Sequence, residues 1–297
     1  MQFHRPLLGI ALILLAQVCF PIKDSFAKLV GGVYPPALII WVQFVVLSLV
    51  FAPAVVWQHG WRTLVPSHWG WQILRGLAVV TGIGLFYWSL TFIPLADATA
   101  MAFVSPLLVT AMSPFVLGET VGWRRWIAVV LGFCGALIIL RPELGGARTG
   151  YFIALGTGVM LSIFYVGNRK LAATAPPVAQ VMFSGAVGAI ALIPAVPFIW
   201  VPPRPGDAAV IFGFLALATL GQAVMVMSFK YAPASVIAPF QYFAIVTSAT
   251  MGYLLFGDFP GPWTMAGIAV IVACGIYIAV REGRRPAAPP AINRTTN

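Results

Sequence analysis

The sequence predicts an all-α integral membrane protein whose ten transmembrane helices form two inverted five-helix repeats. Three observations predict it. The 297-residue chain is 61% hydrophobic and only 8% charged, with a mean hydropathy of +0.96. A soluble domain carries about 25% charged residues, and a soluble fold of this composition would expose apolar surface on every side and aggregate. Ten apolar runs have the length of about 20 residues that a bilayer crossing needs. Finally, the second half of the chain repeats the first.

The runs cover 6–26, 35–57, 71–92, 96–116, 123–141, 149–169, 177–199, 208–229, 235–256 and 263–280. Pro- and Gly-rich loop chemistry separates them: "GGVYPP" (31–36), "WRTLVPSHWG" (61–70), "RPELGGARTG" (141–150), "TAPP" (174–177) and "VPPRPGD" (201–207). The first run follows His4 and Arg5 as a signal peptide would. No small-residue cleavage site closes it, and "FPIKDSF" (20–26) does not suit one, so it reads as a helix. This divides the chain into a first repeat over 1–142, a second over 149–281, and a polar, Pro-rich tail over 282–297 that is expected to be disordered. The "NRT" at 293–295 matches a glycosylation sequon that a cytoplasmic tail would not use.

Lys and Arg set membrane orientation. With ten spans both termini share a side. That side holds Arg5, Arg62, Arg75, Arg124, Arg125, Arg169, Lys170, Lys230, Arg281, Arg284, Arg285 and Arg294 against the acids Glu119 and Glu282. The other side balances Lys23, Lys28, Arg141, Arg148 and Arg204 against Asp24, Asp97, Glu143, Asp207 and Asp258. The formal excess of +10 thus falls on one face. That face is expected to be cytoplasmic, in a bacterial-type inner membrane, and the basic balance reflects topology rather than nucleic-acid binding.

The repeat is read by alignment. "SLTFIPLADATAMAF" (89–103) matches "SFKYAPASVIAPFQY" (228–242) at an offset of 139, with Ser89 on Ser228, Pro94 on Pro233 and Phe103 on Tyr242. The register continues through Met112 and Met251, Gly118 and Gly257, Glu119 and Asp258, and Gly122 and Gly261. Upstream, "KLVGGVYPP" (28–36) meets "KLAATAPPV" (170–178) at an offset of 142. Five helices per copy is an odd number, so the copies must lie in opposite orientations, the hallmark of secondary transporters. "GETVGWRRW" (118–126) keeps its arginine pair on the expected inside, whereas its partner "GDFPGPWTM" (257–265), expected outside, has Pro262–Trp263–Thr264 in place of the arginines.

Two segments carry a family resemblance: "FYWSLTFIPLADATAMAFVSPLLVTAMSPFVLGETVGWRRWIAVVLGFCGALIILRP" (86–142) and "MSFKYAPASVIAPFQYFAIVTSATMGYLLFGDFPGPWTMAGIAVIVACGIYIAVRE" (227–282). The Pro-x-Ala-x-Ala of the first (94–98), and in both the small-residue helix, the Gly-Glu or Gly-Asp turn and the Gly-rich last helix, resemble the EamA domain of the drug/metabolite transporter superfamily. The resemblance spans roughly 6–281. It implies a ten-helix bundle with a central cavity lined by the first four helices of each half, the last helix of each serving as scaffold or contact surface. It also implies transport of a small metabolite, such as an amino acid, riboflavin, S-adenosylmethionine or a nucleobase, outward or inward.

Polar residues within spans are costly and mark candidate sites. Gln17, Gln43, Gln222 and Gln241 either line a cavity or tie helices together. Gln17 and Gln241, with the aromatics Tyr87, Trp88, Tyr165 and Tyr242, form the candidate substrate-binding set. Lys23 and Asp24, after Pro21, read as exposed loop charges or as a gate. Asp97 can cap its helix, Lys230 can snorkel, and Glu119 and Asp258 suit turns. Pro21, Pro106 and Pro239 are hinge candidates, and Pro114 is a further kink; permanent bends are the alternative. Trp57, Trp61, Trp69, Trp71 and Trp200 suit headgroup anchoring. Ala128, Gly132 and Ala136 on the fifth run, and Ala269 and Ala273 beside Gly267 and Gly275 on the tenth, allow close packing within the chain or a homodimer.

The three histidines, His4, His59 and His68, form no cluster, and Cys19, Cys134 and Cys274 have no metal-ligand spacing and suit buried apolar positions. No catalytic group, metal or cofactor is therefore expected. No buried mid-span carboxylate suggests a proton relay, so facilitated or potential-driven movement stands beside proton coupling. The reading is an alternating-access amino-acid exporter, including aromatic amino acids; the alternative is an uptake permease for riboflavin, a nucleoside or nucleobase, or S-adenosylmethionine. The charge asymmetry predicts that a C-terminal reporter active only on the periplasmic side stays silent, while a cytoplasmic one gives full signal.

Overall fold

The computed structural model describes residues 5–140, 148–172 and 174–283. The loop charges Arg141 and Glu143 and the tail beyond Gly283, with its sequon, lie outside the described residues. Every regular element described is helical: α1 (Pro6–Val30), α2 (Pro36–His59), α3 (Trp69–Ser89), α4 (Leu95–Ala102), α5 (Ser105–Val116), α6 (Trp123–Leu140), α7 (Arg148–Leu171), α8 (Pro177–Leu192), α9 (Val196–Ile199), α10 (Ala208–Tyr231), α11 (Ala234–Gln241), α12 (Phe243–Phe256) and α13 (Pro262–Gly283). In hydrocarbon no water is present to satisfy backbone groups, and a helix satisfies its own. Proline opens α1, α2 and α8, where its missing N–H would have found no partner anyway.

Among the described residues, eight segments are long and apolar enough to cross a membrane. The ten expected spans include two more stretches. One is α3, with Gln72 and Arg75 in its first half. The other is split at Tyr242 into α11 and α12, of 8 and 14 residues. Large apolar side chains face outward along the bundle, Leu7, Phe115, Phe198 and Phe212 among them, as lipid contact requires.

The prolines act unequally. Pro106 removes the amide that would bond the Ala102 carbonyl, and the helix breaks there, at Phe103–Val104. In the second half the break is at Tyr242, three residues past Pro239. Pro21 and Pro114 sit inside continuous helices, α1 and α5. The two break residues, Phe103 and Tyr242, are the pair the repeat alignment superposes, and their rings stack with centroids 4.9 Å apart. α5 and α12 also end alike. Gly118 and Gly257 take φ of 69° and 71°, a conformation that favours glycine. The next amide then reaches back six residues, Glu119 N–H to the Ser113 carbonyl at 3.4 Å and Asp258 N–H to the Gly252 carbonyl at 3.1 Å.

Close glycine contacts fix how the helices pair. Gly9, Cys19–Phe20 and Phe26 of α1 meet Ser228–Ala232, Gly221 and Gly213, so α1 and α10 run antiparallel. α3 and α7 do the same, with Arg75 at Gly167, Gly82 at Met160 and Leu85 at Gly156. α2 pairs antiparallel with α8 through Phe44, Ser48, Gly185 and Gly188, and α6 with α13 through Gly135, Ile139, Gly267 and Val270. The small stripe Ala128, Gly132 and Ala136 is buried within the chain, whereas Ala269 and Ala273 face outward. Cys19 and Cys274 are buried as expected, but Cys134 is exposed.

A Cβ on Gly267 would lie 2.4 Å from Ile139 Cγ1 and 2.6 Å from the Gly135 carbonyl oxygen. The backbone cannot yield locally. Gly267→Ala is therefore expected to destabilise the detergent-solubilised protein by about 1–3 kcal/mol in a denaturant titration. Gly261→Ala, with nothing within 4 Å, should leave the midpoint unchanged.

Candidate functional site

The bundle has a basic end, carrying Arg169 and Lys170, and a neutral end, carrying Lys28 and Asp258. Buried cations lie toward each. On α1, Lys23 is only 7% exposed. Its ammonium donates to Asp24 and, at 2.8 Å, to the Tyr87 hydroxyl, which donates to Asp24 Oδ1 at 2.9 Å. The same ammonium stands 5.3 Å from the Tyr87 ring centroid and 5.7 Å from that of Phe214 on α10. Lys23 and Asp24 are thus not exposed loop charges. α1 does not stop near residue 26 but continues through Pro21 to Val30, and carries the pair inside the bundle. Asp24, 14% exposed in its side chain, and Asp97, 4% exposed, are carboxylates inside the bundle that the sequence pattern did not reveal as buried.

Toward the basic end Arg75 is 1% exposed. It is buried within the bundle, although its charge counts toward the basic side in the sequence. Its Nη1 donates to Asn168 Oδ1 at 2.6 Å and Gln180 Oε1 at 2.9 Å, and its Nη2 to the Gln180 carbonyl at 2.7 Å. The Phe164 ring lies 5.8 Å away. The Gln180 amide nitrogen in turn donates to the Ala175 carbonyl at 3.1 Å. The cluster joins α3 to α7 and α8.

Each end is also tied across the halves. Lys28 pairs with Asp258 at 3.1 Å at the neutral end, and Arg169 with Glu119 at 3.6 Å at the basic end. The two acids are repeat equivalents that follow equivalent glycines. Tyr34 adds a bond to Asp207 at 2.9 Å, and the Tyr151 hydroxyl donates to Asp97 Oδ2 at 2.5 Å. Asp97 therefore reaches across to α7 instead of capping α4, which has no side-chain cap. Between the ends, Thr99 and Ser248 bond at 3.0 Å, beside the stacked Phe103 and Tyr242. An apolar cavity of about 110 Å³ lies among α1, α2, α10 and the chain around Trp200, lined by Tyr34, Leu38, Ile211 and Phe214 among others.

The expected binding residues divide. Gln17 and Tyr87 are buried inside the bundle. Tyr165 and Gln241 are half-buried, Tyr165 against Phe164 with centroids 5.3 Å apart. Tyr242 is buried, but its hydroxyl abuts Gly275 of α13, so it points into the scaffold. Trp88 is 51% exposed and stands on the outside; three consecutive helical residues cannot share a face. Gln43 is buried with its Oε1 unpartnered, Gln222 is half-buried and Lys230 is exposed. Sequence reasoning passed over Gln72, Asn168 and Gln180. Gln72 and Arg75, three apart in one apolar run, were the available signal, since that spacing shares a helical face.

Comparison with known proteins decides the family. Residues 7–141 and 148–281 each match the EamA-like transporter family. The chain belongs to that family. It is a transporter of small metabolites and not an enzyme. The chain is 26% identical over 275 residues to an S-adenosylmethionine uptake transporter of Rickettsia bellii, covering 93% of this chain and 94% of that one. It is 27% identical over 286 residues to a riboflavin transporter of Vibrio cholerae, covering 95% and 96%. It is 24% identical over 284 residues to a pseudopaline exporter of Pseudomonas aeruginosa, covering 93% and 97%. A solved crystal structure superposes with a TM-score of 0.64 at 21% identity, covering 94% of this chain and 98% of its own; that likeness concerns the fold alone.

Lys23→Met is expected to destabilise the EamA-family protein by about 3–5 kcal/mol, because it strands Asp24 out of water. The double variant Lys23→Met/Asp24→Asn should recover most of that loss. A double-mutant cycle by denaturation in detergent measures both.

Proposed function

We propose that this protein takes up S-adenosylmethionine or a close chemical relative across a bacterial inner membrane by alternating access. Its ten spans would form two inverted repeats, with both termini cytoplasmic. The observation that carries the substrate reading is the near full-length match to an S-adenosylmethionine uptake transporter, over 93% of this chain. Riboflavin uptake is the second reading, on a match of equal extent. Amino-acid export, the expectation from sequence, has no counterpart among the relatives named above and gives way to uptake.

The helix pairing supports the inversion. Exchanging the halves turns the α1–α10 pair into α7–α3 and leaves α2–α8 and α6–α13 as pairs of equivalents. Those equivalents run antiparallel, as inverted copies must. The exchange carries Asp258 to Glu119 and Lys28 to Lys170, the neighbour of Arg169, so the Arg169–Glu119 tie is a near counterpart of Lys28–Asp258 at the opposite end. Two such ties, one per end, suit a machine that opens one end while the other stays closed. The exposed pairs contribute little alone, roughly 0–1 kcal/mol each, so they can break and reform. A homodimer would use the outward face of α13, where Ala269 and Ala273 lie.

Counterflow into proteoliposomes tests the reading with labelled S-adenosylmethionine, riboflavin and tryptophan. Saturable uptake of S-adenosylmethionine, competed by the unlabelled compound, is expected. Flux of riboflavin alone would favour the second reading, and flux of tryptophan alone would restore amino-acid transport.

A further inference from the structure

Among the described residues, Arg75 is a buried cation without an acid: no ion pair there includes it, unlike Lys23 with Asp24, Lys28 with Asp258 and Arg169 with Glu119. Its partners are three neutral oxygens, from Asn168 and Gln180. Its Nε–H, also buried, meets no acceptor. Three residues earlier, Gln72 is likewise 1% exposed, and neither its amide oxygen nor its amide nitrogen has a partner. The spacing puts both side chains on one face of α3.

This arrangement is strongly unfavourable as a purely structural tie. A charge taken from water needs a counter-charge, and buried polar groups need partners. A neutral side chain could join α3 to Gln180 without the desolvation of a guanidinium. Lys23, toward the neutral end, has its carboxylate at the next residue; Arg75 has none. Residues of this kind within spans mark substrate routes.

We propose that Arg75 and Gln72 form a subsite, between α3, α7 and α8, for the α-amino-acid head group of the transported molecule. The proposal rests on the transport reading above and narrows its substrate class. A carboxylate has the two-oxygen geometry that the Nε–Nη2 edge of a guanidinium recognises. The Gln72 amide nitrogen supplies a further donor. Its oxygen supplies an acceptor that an adjacent ammonium would satisfy. S-adenosylmethionine carries such a head group and riboflavin does not. The arriving carboxylate competes with the Gln180 carbonyl for Nη2, so binding loosens the tie between α3 and α8 at the basic end.

The test compares S-adenosylmethionine with its decarboxylated analogue, and methionine with its decarboxylated amine. Uptake is followed in proteoliposomes, and thermal stabilisation in detergent. The wild type should prefer each carboxylated compound by at least about tenfold, the effect of one charge-assisted hydrogen-bond set. Arg75→Gln should abolish the preference, and Arg75→Lys and Gln72→Leu should each reduce it severalfold. If Arg75→Gln does not fold, the last two variants decide, and an unchanged preference in both overturns the proposal. Uptake of S-adenosylmethionine with no carboxylate preference leaves the transport reading standing and sinks the head-group site. Absent uptake with Arg75-dependent stabilisation by methionine does the reverse. A wild type that no carboxylated compound stabilises overturns the site outright.

Discussion

A polar group removed from water must find its partner within the chain, and this constraint orders the rest of the structure. It makes every regular element described a helix, since a helix bonds its own amides. It confines helix breaks to places where the chain packs on itself, such as the contact of Phe103 with Tyr242. It also decides where charges go. Lys23 enters the bundle with Asp24 and the Tyr87 hydroxyl around it. Arg75 enters with the amides of Asn168 and Gln180.

The repeat gives these clusters a common plan with different chemistry. At the offset of 139, Arg75 is the equivalent of Phe214, and at 142, Lys23 is the equivalent of Tyr165. Lys23 lies over Phe214, and Arg75 over Phe164, the residue before Tyr165. Both buried cations therefore come from the first half, and both aromatic faces from the second. The scaffold features, the Gly118 and Gly257 turns and the two helix breaks, are kept in both copies. The charged interior features are not, and asymmetry of this kind lets one fold treat the two ends of a substrate differently.

Much of this plan was legible in the sequence because it rests on local rules. Apolar runs, flanking prolines and a gap-free 139-residue offset located the helices, and Phe103 and Tyr242 aligned before their contact was visible. The interior of the site was legible only in part. Charges lower the hydropathy of a run, so α1 was cut near residue 26, and Lys23 and Asp24 fell at its edge. The Tyr87 hydroxyl that receives Lys23 is 64 positions away, beyond any local pattern. Arg75 was masked by the topology rule: an arginine at the start of a span is explained equally by topology and by burial, and only packing separates them. Trp88 failed for the converse reason, since an aromatic in a span faces lipid as readily as a pocket.

The two cross-half seams that the proposed inversion relates, α3 with α8 and α2 with α10, are closed by unlike means. The first holds the Arg75–Gln180 hydrogen bonds. The second holds apolar surface around the cavity of about 110 Å³. The hydrogen-bonded seam is directional, and a competing acceptor on the guanidinium would take its Nη2 bond to the Gln180 carbonyl. The apolar seam has no such geometry to lose and can close further by filling its void, because packing contacts strengthen continuously as a gap shrinks. A ligand shifts such an equilibrium only through its difference in affinity for the two states. A carboxylate on Arg75 acts on the hydrogen-bonded seam and does not touch the apolar one. The asymmetry between the seams would therefore supply the differential contact that the proposed alternating access requires.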